Sequence, residues 1–168
     1  VGRLEEQKNY EYLIKSLKGS DFTLDIVGKG SLENKLITLA KKYSVNLNLL
    51  GRLDNNELIA LYPKYKFFVI TSLYEGNPKA VLEAMAVGLP IIATEVGDVS
   101  LMIEDDKQGF VVEKDNFDLF YQRLLYLINE PDRRKKFGLA ARKKVESEYT
   151  HHQLIKNIVN LYNNLQKA

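Results

Sequence analysis

Two glutamates separated by seven residues lie where the sequence predicts the start of a helix. Between Glu75 and Glu83, Asn77 is a favoured N-cap and Pro78 a favoured first helical residue. The unpaired N–H groups at a helix N-terminus bind phosphate and sugar oxygens. Because helical side chains lean towards the N-terminus, Glu83 can reach back to that end, where its two acceptor oxygens match two adjacent ribose hydroxyls. Glu75 would face the hydroxyls of a bound sugar from the other side.

A simpler explanation of the two glutamates needs no ligand. Glu83 can pair with Lys79, four residues earlier, which stabilises an exposed helix by a few tenths of a kcal/mol. Glu75 can be a solvated acid in a loop. The residues alone leave both explanations open.

The residues that several other types of catalytic site require are absent from this sequence. The chain has no cysteine, which excludes a cysteine nucleophile, a thiolate metal site and a disulfide. It contains neither a GxxxxGKS/T phosphate loop nor a GxSxG nucleophile motif. The 28–30 turn lacks the third glycine of a dinucleotide-binding motif, because Glu33 occupies that place. His151 and His152 have no companion histidine or cysteine, so no metal site is expected.

The elements that must position the glutamates alternate between strand and helix. The 168 residues are 45% hydrophobic and 27% charged, which is typical of one soluble globular domain. The net charge of +2 gives no electrostatic support for nucleic-acid binding, and no apolar run reaches the ~20 residues of a membrane span. Strands are predicted at 22–27, 45–50, 67–71, 90–94 and 110–112, and helices at 8–18, 32–43, 54–62, 78–87, 116–129, 131 onward and 151–167.

This alternation predicts an α/β domain with a doubly wound parallel sheet and helices on both faces, because parallel strands need crossover connections. Ligands of such sheets bind beyond the carboxyl ends of the strands. Glycine and charged residues recur in five loops at that edge, at residues 2–4, 28–30, 51–53, 74–78 and 95–97. Glycine in any one loop can simply allow a sharp turn. Its recurrence at one edge favours a binding site.

The run SLYEGNPKAVLEAMAVGLPIIAT, residues 72–94, resembles the E-x7-E signature of retaining glycosyltransferase family 4, with Glu75 and Glu83 as the two acids. Residues 1–4 with Lys8-Asn9, residues 27–30 and residues 50–53 resemble other family segments in the same order. The resemblance implies the C-terminal, donor-binding half of a GT-B enzyme. Residues 1–168 would form a single Rossmann-like nucleotide-sugar-binding domain, and the opening residues, which look like the end of a strand, suggest a fragment that lacks the N-terminal acceptor domain.

The resemblance also implies roles for individual residues. Arg3 and Lys8 match the cations that contact the donor diphosphate and stabilise the departing nucleotide without a metal or other cofactor. Glu75 matches the acid beside the donor sugar, so that Arg3, Lys8 and Glu75 are the candidate catalytic residues. The full candidate donor-binding set is Gly2, Arg3, Lys8, Arg52, Leu53, Glu75, Gly76, Asn77, Pro78, Lys79, Ala80, Val81 and Glu83.

One candidate departs from the family pattern. Many relatives carry glycine where this chain has Pro78, and proline has no N–H group to donate. The final predicted helix, 151–167, resembles the family's terminal helix, which packs on the N-terminal domain. Part of its apolar stripe is therefore expected to be exposed; the stripe consists of Leu154, Ile158, Leu161, Tyr162 and Leu165.

The implied activity is transfer of a hexose, with retention, from a nucleotide diphosphate-sugar to a glycan or lipid-linked acceptor. A UDP-sugar is the expected donor, and the isolated chain is expected to bind it without turnover. The family context implies polysaccharide or lipopolysaccharide biosynthesis in the cytoplasm, with peripheral association at the inner face of the membrane. Two alternatives remain: a non-catalytic α/β nucleotide-binding or signalling module, although Arg3 and Arg52 stand where a receiver domain needs acids, and an epimerase or hydrolase relative with the GT-B fold.

Overall fold

The structure of the protein is a computed structural model that describes residues 1–165, with only the backbone described for 154, 157, 161 and 163–165. Within these residues the strands are β1 (Thr23–Val27), β2 (Asn46–Gly51), β3 (Phe68–Ile70), β4 (Ile91–Thr94) and β5 (Gly109–Val112). The α-helices of the same residues are α1 (Tyr10–Ser16), α2 (Glu33–Tyr43), α3 (Asn55–Leu61), α4 (Lys79–Ala86), α5 (Val99–Met102), α6 (Phe117–Asn129), α7 (Pro131–Glu148) and α8 (His151–Leu165).

All strand pairs are parallel, as the alternation of strands and helices predicted. β1 pairs with β2, and β4 pairs with both β3 and β5. In residues 1–165 the strands are divided between a two-stranded sheet, β1 and β2, and a three-stranded sheet with β4 in the middle.

Two layers of helices cover the opposite faces of the strands. On one face, α1, α2 and α6 bury a cluster that contains Leu24 of β1 and Ile92 of β4. On the other face, α3, α4, α5 and α7 bury a cluster that contains Val27 of β1 and Ile91 of β4. The predicted α/β architecture with helices on both faces is confirmed. Each layer contacts both sheets, which holds them together in one body.

Local sequence signals place several of these helices. Asp54 and Glu57 form the predicted capping box before α3, with backbone-to-side-chain distances of 2.9 and 2.8 Å. Asn116 caps α6 by accepting from the Leu119 N–H. The first helix is shorter than the predicted 8–18 segment, because Asn9 adopts a left-handed conformation that separates α1 from a preceding 3-10 turn at Glu6–Lys8.

The last helix has exposed apolar side chains, as expected. Ile158 and Tyr162 are 44% and 65% exposed. The side chains of Leu154, Leu161 and Leu165, also part of the expected stripe, lie outside the described residues. Across residues 1–165, no helix combines the length and the hydrophobicity that crossing a membrane requires.

Helix α7 approaches the turn after α4 closely at a pair of glycines. A Cβ atom added to Gly138 would lie 2.0 Å from the Gly88 carbonyl oxygen, which is far inside van der Waals contact. Gly88 has a positive φ of 81° and ends α4. This contact places α4, and with it Glu83, relative to the helix layer behind it.

We expect Gly138→Ala to lower the free energy of unfolding by about 1–3 kcal/mol, because the added methyl group must displace backbone. Alanine would otherwise stabilise a helix by about 1 kcal/mol relative to glycine. Urea unfolding of both proteins measures the difference. The neighbouring variant Leu139→Ala, at a 62% exposed position, is the control and should change stability little. A Gly138→Ala protein as stable as the parent would contradict the close approach.

Candidate functional site

Backbone hydrogen bonds join the first three glycine-containing loops. The Gly2 N–H donates to the Val27 carbonyl at 2.9 Å, and the Leu4 N–H donates to the Lys29 carbonyl at 3.1 Å. The Gly28 N–H donates to the Gly51 carbonyl at 2.7 Å. The loops at 2–4, 28–30 and 51–53 therefore form one layer at the carboxyl ends of the strands.

Close backbone contacts at the 28–30 and 95–97 loops require glycine. Gly28 has a φ of +143°, and a Cβ atom on it would lie 1.9 Å from the Gly2 carbonyl oxygen. Gly97 has a φ of +42°, and a Cβ atom on it would lie 2.5 Å from the Glu75 carbonyl oxygen. A side chain at either position would push the loops apart, so glycine here has a role in packing as well as in turning.

An ion pair joins the loop before α1 to the loop before α4. Lys8 Nζ lies 2.5 Å from Glu75 Oε1, and the two side chains are 21% and 7% exposed. The Ser72 hydroxyl donates to the same Glu75 oxygen at 2.5 Å. The alternative in which Glu75 is a solvated loop acid is therefore wrong. Among residues 1–165, no donor is bonded to Glu75 Oε2, so that oxygen can accept from a ligand.

Further hydrogen bonds hold the same two loops together. The Thr71 hydroxyl lies 3.3 and 3.2 Å from the Lys8 and Asn9 carbonyl oxygens, to which it can donate. The Leu73 N–H donates to the Gln7 carbonyl at 2.8 Å, and the Gln7 side-chain amide donates to the Tyr74 carbonyl at 3.1 Å. These bonds fix the backbone on both sides of the ion pair, so little rearrangement is needed to form it.

Glu83 is held by a residue that the sequence analysis did not identify. The Tyr62 hydroxyl donates to Glu83 Oε2 at 3.1 Å. Burial, and secondarily the charge of Glu83, raises the pKa of Tyr62, which keeps its hydroxyl a donor. No ion pair between Glu83 and Lys79 occurs in the described part of the chain, so the structure does not support that alternative. The other carboxylate oxygen of Glu83 has no protein donor within the same residues.

The start of α4 differs from the prediction by one residue. The predicted N-cap, Asn77, is wrong: Pro78 is the N-cap, with φ −76° and ψ 86°, and Lys79 is the first helical residue. The Pro78 carbonyl accepts from the Val81 N–H at 2.9 Å, so the Val81 N–H is already bonded. The fixed φ of proline is compatible with both the N-cap position and the first helical turn. The ψ of 86° is not helical, so Pro78 is the N-cap and not the first helical residue.

The amino group of Val1 lies close to the charged residues of both loops. Burial, and then the positive charge of Lys8, lowers the pKa of this amino group to about 5, while Glu83 and Glu75 oppose the shift. Gly2 packs against Lys8, because an added Cβ would lie 2.8 Å from Lys8 Cε. Lys8, Glu75 and Glu83 therefore lie in one region beside residues 1–2.

Other candidate residues lie outside this contact network. Arg3 is 69% exposed and pairs with Glu5 at 3.2 Å, so its guanidinium is not bonded to Lys8 or Glu75. Arg52 is exposed, whereas Leu53 is half-buried against the cluster that includes α3. At the start of α4, Pro78 is buried, and Ala80 and Val81 pack into the same cluster. The other candidates there are exposed, namely Gly76, Asn77 and Lys79.

Four residues near the glutamates were missed by sequence reasoning. Three of them, Tyr62, Thr71 and Ser72, are hydrogen-bonded to Glu83, to the Lys8 backbone and to Glu75. The fourth, Tyr10, is buried beside Gly2, and its hydroxyl has no hydrogen-bond partner among residues 1–165. Ser72 alone carried a usable signal, since it lies in the 72–94 run three residues before Glu75. Within the described part of the chain, no group of three or more histidine, aspartate or glutamate side chains could hold a metal ion.

The chain is similar to proteins of a known family. Residues 1–144 match the family model described as glycosyl transferases group 1. An uncharacterized glycosyltransferase of Methanocaldococcus jannaschii is 33% identical over 139 residues, covering 82% of this chain and 40% of the relative. The Escherichia coli UDP-Gal:alpha-D-GlcNAc-diphosphoundecaprenol alpha-1,3-galactosyltransferase is 31% identical over 141 residues, covering 77% of this chain and 36% of the relative.

A solved structure shows the same fold. A mutant of S. aureus TarM, in complex with fondaparinux, alpha-GlcNAc-glycerol and UDP, superposes with a TM-score of 0.87 at 26% identity, covering 96% of this chain and 34% of that protein. The chain spans roughly 40% of the length of the curated relatives named above. By its match to the family model and its identity to these relatives, the chain belongs to the group 1 glycosyl transferases.

Proposed function

We propose that this chain binds a nucleotide diphosphate-sugar and forms the donor half of a retaining, metal-independent GT-B hexosyltransferase. The donor would lie against the loop at residues 2–4 and the start of α4. Arg3 and Lys8 would contact the diphosphate, Glu75 the sugar and Glu83 the ribose. The acceptor would bind a separate N-terminal domain of the complete enzyme.

The observation that carries this proposal is the grouping of Lys8, Glu75 and Glu83. Lys8 and Glu75 are in direct contact although 67 residues separate them, and Glu83 lies near enough to influence the same Val1 amino group. Each glutamate has one oxygen bonded to protein and one oxygen free of protein donors within residues 1–165. A cation grouped with two acids of this kind suits a ligand that carries both an anionic group and hydroxyls.

These residues would lower the barrier by stabilising the departing nucleotide diphosphate. In the transfer, the bond between the anomeric carbon and the β-phosphate oxygen breaks and its electron pair leaves with the diphosphate. The oxygen of an acceptor hydroxyl bonds to the anomeric carbon, and the hydroxyl proton is released with the nucleotide diphosphate. Negative charge develops on the diphosphate, where Lys8 and Arg3 would stabilise it. Arg3 must first leave Glu5, and such an exposed pair is worth only about 0–1 kcal/mol. Retention is proposed from the resemblance to the retaining family.

UDP is the proposed nucleotide, and a glycan or a lipid-linked sugar the proposed acceptor. The TarM structure, 26% identical to this chain, contains UDP, and the E. coli relative is named for UDP-Gal and a diphosphoundecaprenol-linked acceptor. We also propose that the complete enzyme works on the cytoplasmic side of a membrane, in polysaccharide or lipopolysaccharide biosynthesis. From the resemblance to the family, Arg52 and Leu53 would flank the base, and their loop is hydrogen-bonded to the 28–30 loop.

The first prediction is that the isolated chain binds UDP and that Glu83→Ala and Arg3→Ala each weaken binding by about 1–3 kcal/mol. The first change removes an acceptor for the ribose and the second removes a charge from the diphosphate. Isothermal titration measures the affinities. Arg142→Ala, which changes an exposed arginine on α7, is the control and should bind normally. Absence of binding by any nucleoside diphosphate at millimolar concentration would contradict the proposed donor site.

Glu75→Gln and Lys8→Gln should have different effects on UDP affinity. Neutral glutamine at 75 no longer holds Lys8 as a counter-ion, so the ammonium group is freer to bind the diphosphate and UDP binds at least as tightly. Glutamine at 8 removes that ammonium group and should weaken UDP binding about 5- to 150-fold, the equivalent of 1–3 kcal/mol. Titration with UDP, together with thermal unfolding of each variant, tests this. Equal weakening in both variants would mean that the pair is only structural.

Tyr62→Phe should weaken UDP binding by about threefold to tenfold, because a hydrogen bond that orients Glu83 is worth about 1 kcal/mol. Inorganic pyrophosphate has no ribose, so its binding should not change. The double variant Tyr62→Phe/Glu83→Ala should bind UDP as Glu83→Ala alone does. Tyr162→Phe, at an exposed tyrosine, is the matched control. A loss of pyrophosphate binding in Tyr62→Phe would show a general structural effect and contradict a positioning role.

A further inference from the structure

The Tyr10 side chain carries a buried hydroxyl that no protein group pairs with. Tyr10 is the first residue of α1 and is 6% exposed, and its hydroxyl has no hydrogen-bond partner among residues 1–165. Folded proteins pair the large majority of their buried polar side-chain atoms, and an unpaired one costs free energy. Phenylalanine would fill the same space without that cost, so the hydroxyl is a candidate for contact with a ligand.

This hydroxyl lies beside two residues of the proposed diphosphate site. A Cβ atom added to Gly2 would lie 3.2 Å from the Tyr10 hydroxyl oxygen, 2.8 Å from Lys8 Cε and 3.3 Å from Lys8 Cδ. The hydroxyl and the end of the Lys8 side chain therefore lie next to the same backbone atoms of Gly2. Tyr10 thus reaches the part of the site where the donor would contact Gly2 and Lys8.

The methylene groups of Lys8 lie against Gly2 on the same side as the hydroxyl. The Lys8 ammonium group is bonded to Glu75, and this bond holds the methylene groups in place. The proposed function requires the ammonium group to turn from Glu75 to the diphosphate, and the methylene groups would move with it. That movement would open the Tyr10 hydroxyl to the same ligand.

The Tyr10 hydroxyl is a neutral donor near neutral pH. Burial, and then the negative charge of Glu75, raises the pKa of Tyr10 well above that of a free tyrosine. A protonated phenol donates one hydrogen bond, and phosphate oxygens accept such bonds strongly because they are charged. Lys8 would supply charge to the diphosphate, and Tyr10 would supply a directed hydrogen bond.

We propose that the Tyr10 hydroxyl donates a hydrogen bond to a phosphate oxygen of the bound nucleotide diphosphate-sugar. This inference rests on the proposed function and adds a binding residue to that site. The bond forms once Lys8 has turned from Glu75 to the diphosphate. Because the hydroxyl is already removed from water and unpaired in the free protein, its bond to the ligand replaces no other hydrogen bond and contributes strongly to affinity.

Tyr12 provides a matched control on the same helix. It is 3% exposed, and its hydroxyl also has no hydrogen-bond partner within the described residues. Side chains two residues apart on a helix do not face each other. The Tyr12 ring instead stacks on Phe117 of α6, with ring centroids 4.4 Å apart. Tyr12 therefore shares the burial and the unpaired hydroxyl of Tyr10 but lies against a different part of the protein.

The test compares Tyr10→Phe and Tyr12→Phe with the parent protein in the complete enzyme. Tyr10→Phe should weaken the binding of both UDP and inorganic pyrophosphate by about 10- to 100-fold, the range for a hydrogen bond to a charged group. Tyr12→Phe should leave both affinities unchanged. Isothermal titration measures the affinities. Thermal unfolding without ligand should occur at no lower temperature in either variant than in the parent, because neither loses a hydrogen bond within residues 1–165.

Three results would overturn the role of Tyr10 while leaving the donor site intact. The first is a Tyr10→Phe enzyme that binds UDP as tightly as the parent, which would mean that the hydroxyl does not contact the ligand. The second is equal weakening in Tyr12→Phe, which would show a general effect of α1. The third is weaker UDP binding with unchanged pyrophosphate binding, which would place the contact on the nucleoside. A parent enzyme that binds no nucleoside diphosphate would instead contradict the donor site itself, and this contact with it.

Discussion

The arrangement of the site depends on one part-buried ion pair, between Lys8 and Glu75. Lys8 and Glu75 lie 67 residues apart in the chain and are mostly removed from solvent, so each charge needs the other. A buried carboxylate without a partner would cost several kcal/mol, which makes the pair a constraint on both loops. Ser72 adds a hydrogen bond to the same carboxylate, and Thr71 hydrogen-bonds the backbone that carries Lys8. The pair therefore sets the distance between the first loop and the start of α4.

Close backbone contacts make this pair possible. Side chains at Gly28 and Gly97 would overlap the carbonyl oxygens of Gly2 and Glu75, so these glycines let each charged loop lie against its neighbour. Gly138 and Gly88 allow a similar close contact between α7 and the turn after α4. Glycine loses more backbone entropy on folding than other residues do. The close contacts that glycine allows here fix the positions of the loops. The loops combine the charge of their side chains with the rigidity of a packed backbone.

Much of this fold follows from local patterns. The parallel alternation, the capping box at Asp54 and the helices on both faces are confirmed, because apolar periodicity and caps act within a few residues. What sequence reasoning missed depends on contacts between distant segments. The Tyr62 hydroxyl reaches Glu83 across 21 residues, and no spacing rule connects a residue at a helix end to a carboxylate on another helix. Strand patterns likewise do not reveal which edges pair, so the division into two sheets follows only from the structure.

The apolar cavity between β1 and β3 and the charged site have different physical characters. The cavity is lined mainly by apolar side chains, which suits apolar atoms. The region around Lys8, Glu75 and Glu83 is charged and lies at the carboxyl ends of the strands, which suits a polar ligand. Residues 1–8 connect the two, since Val1 lines the cavity and Lys8 completes the ion pair.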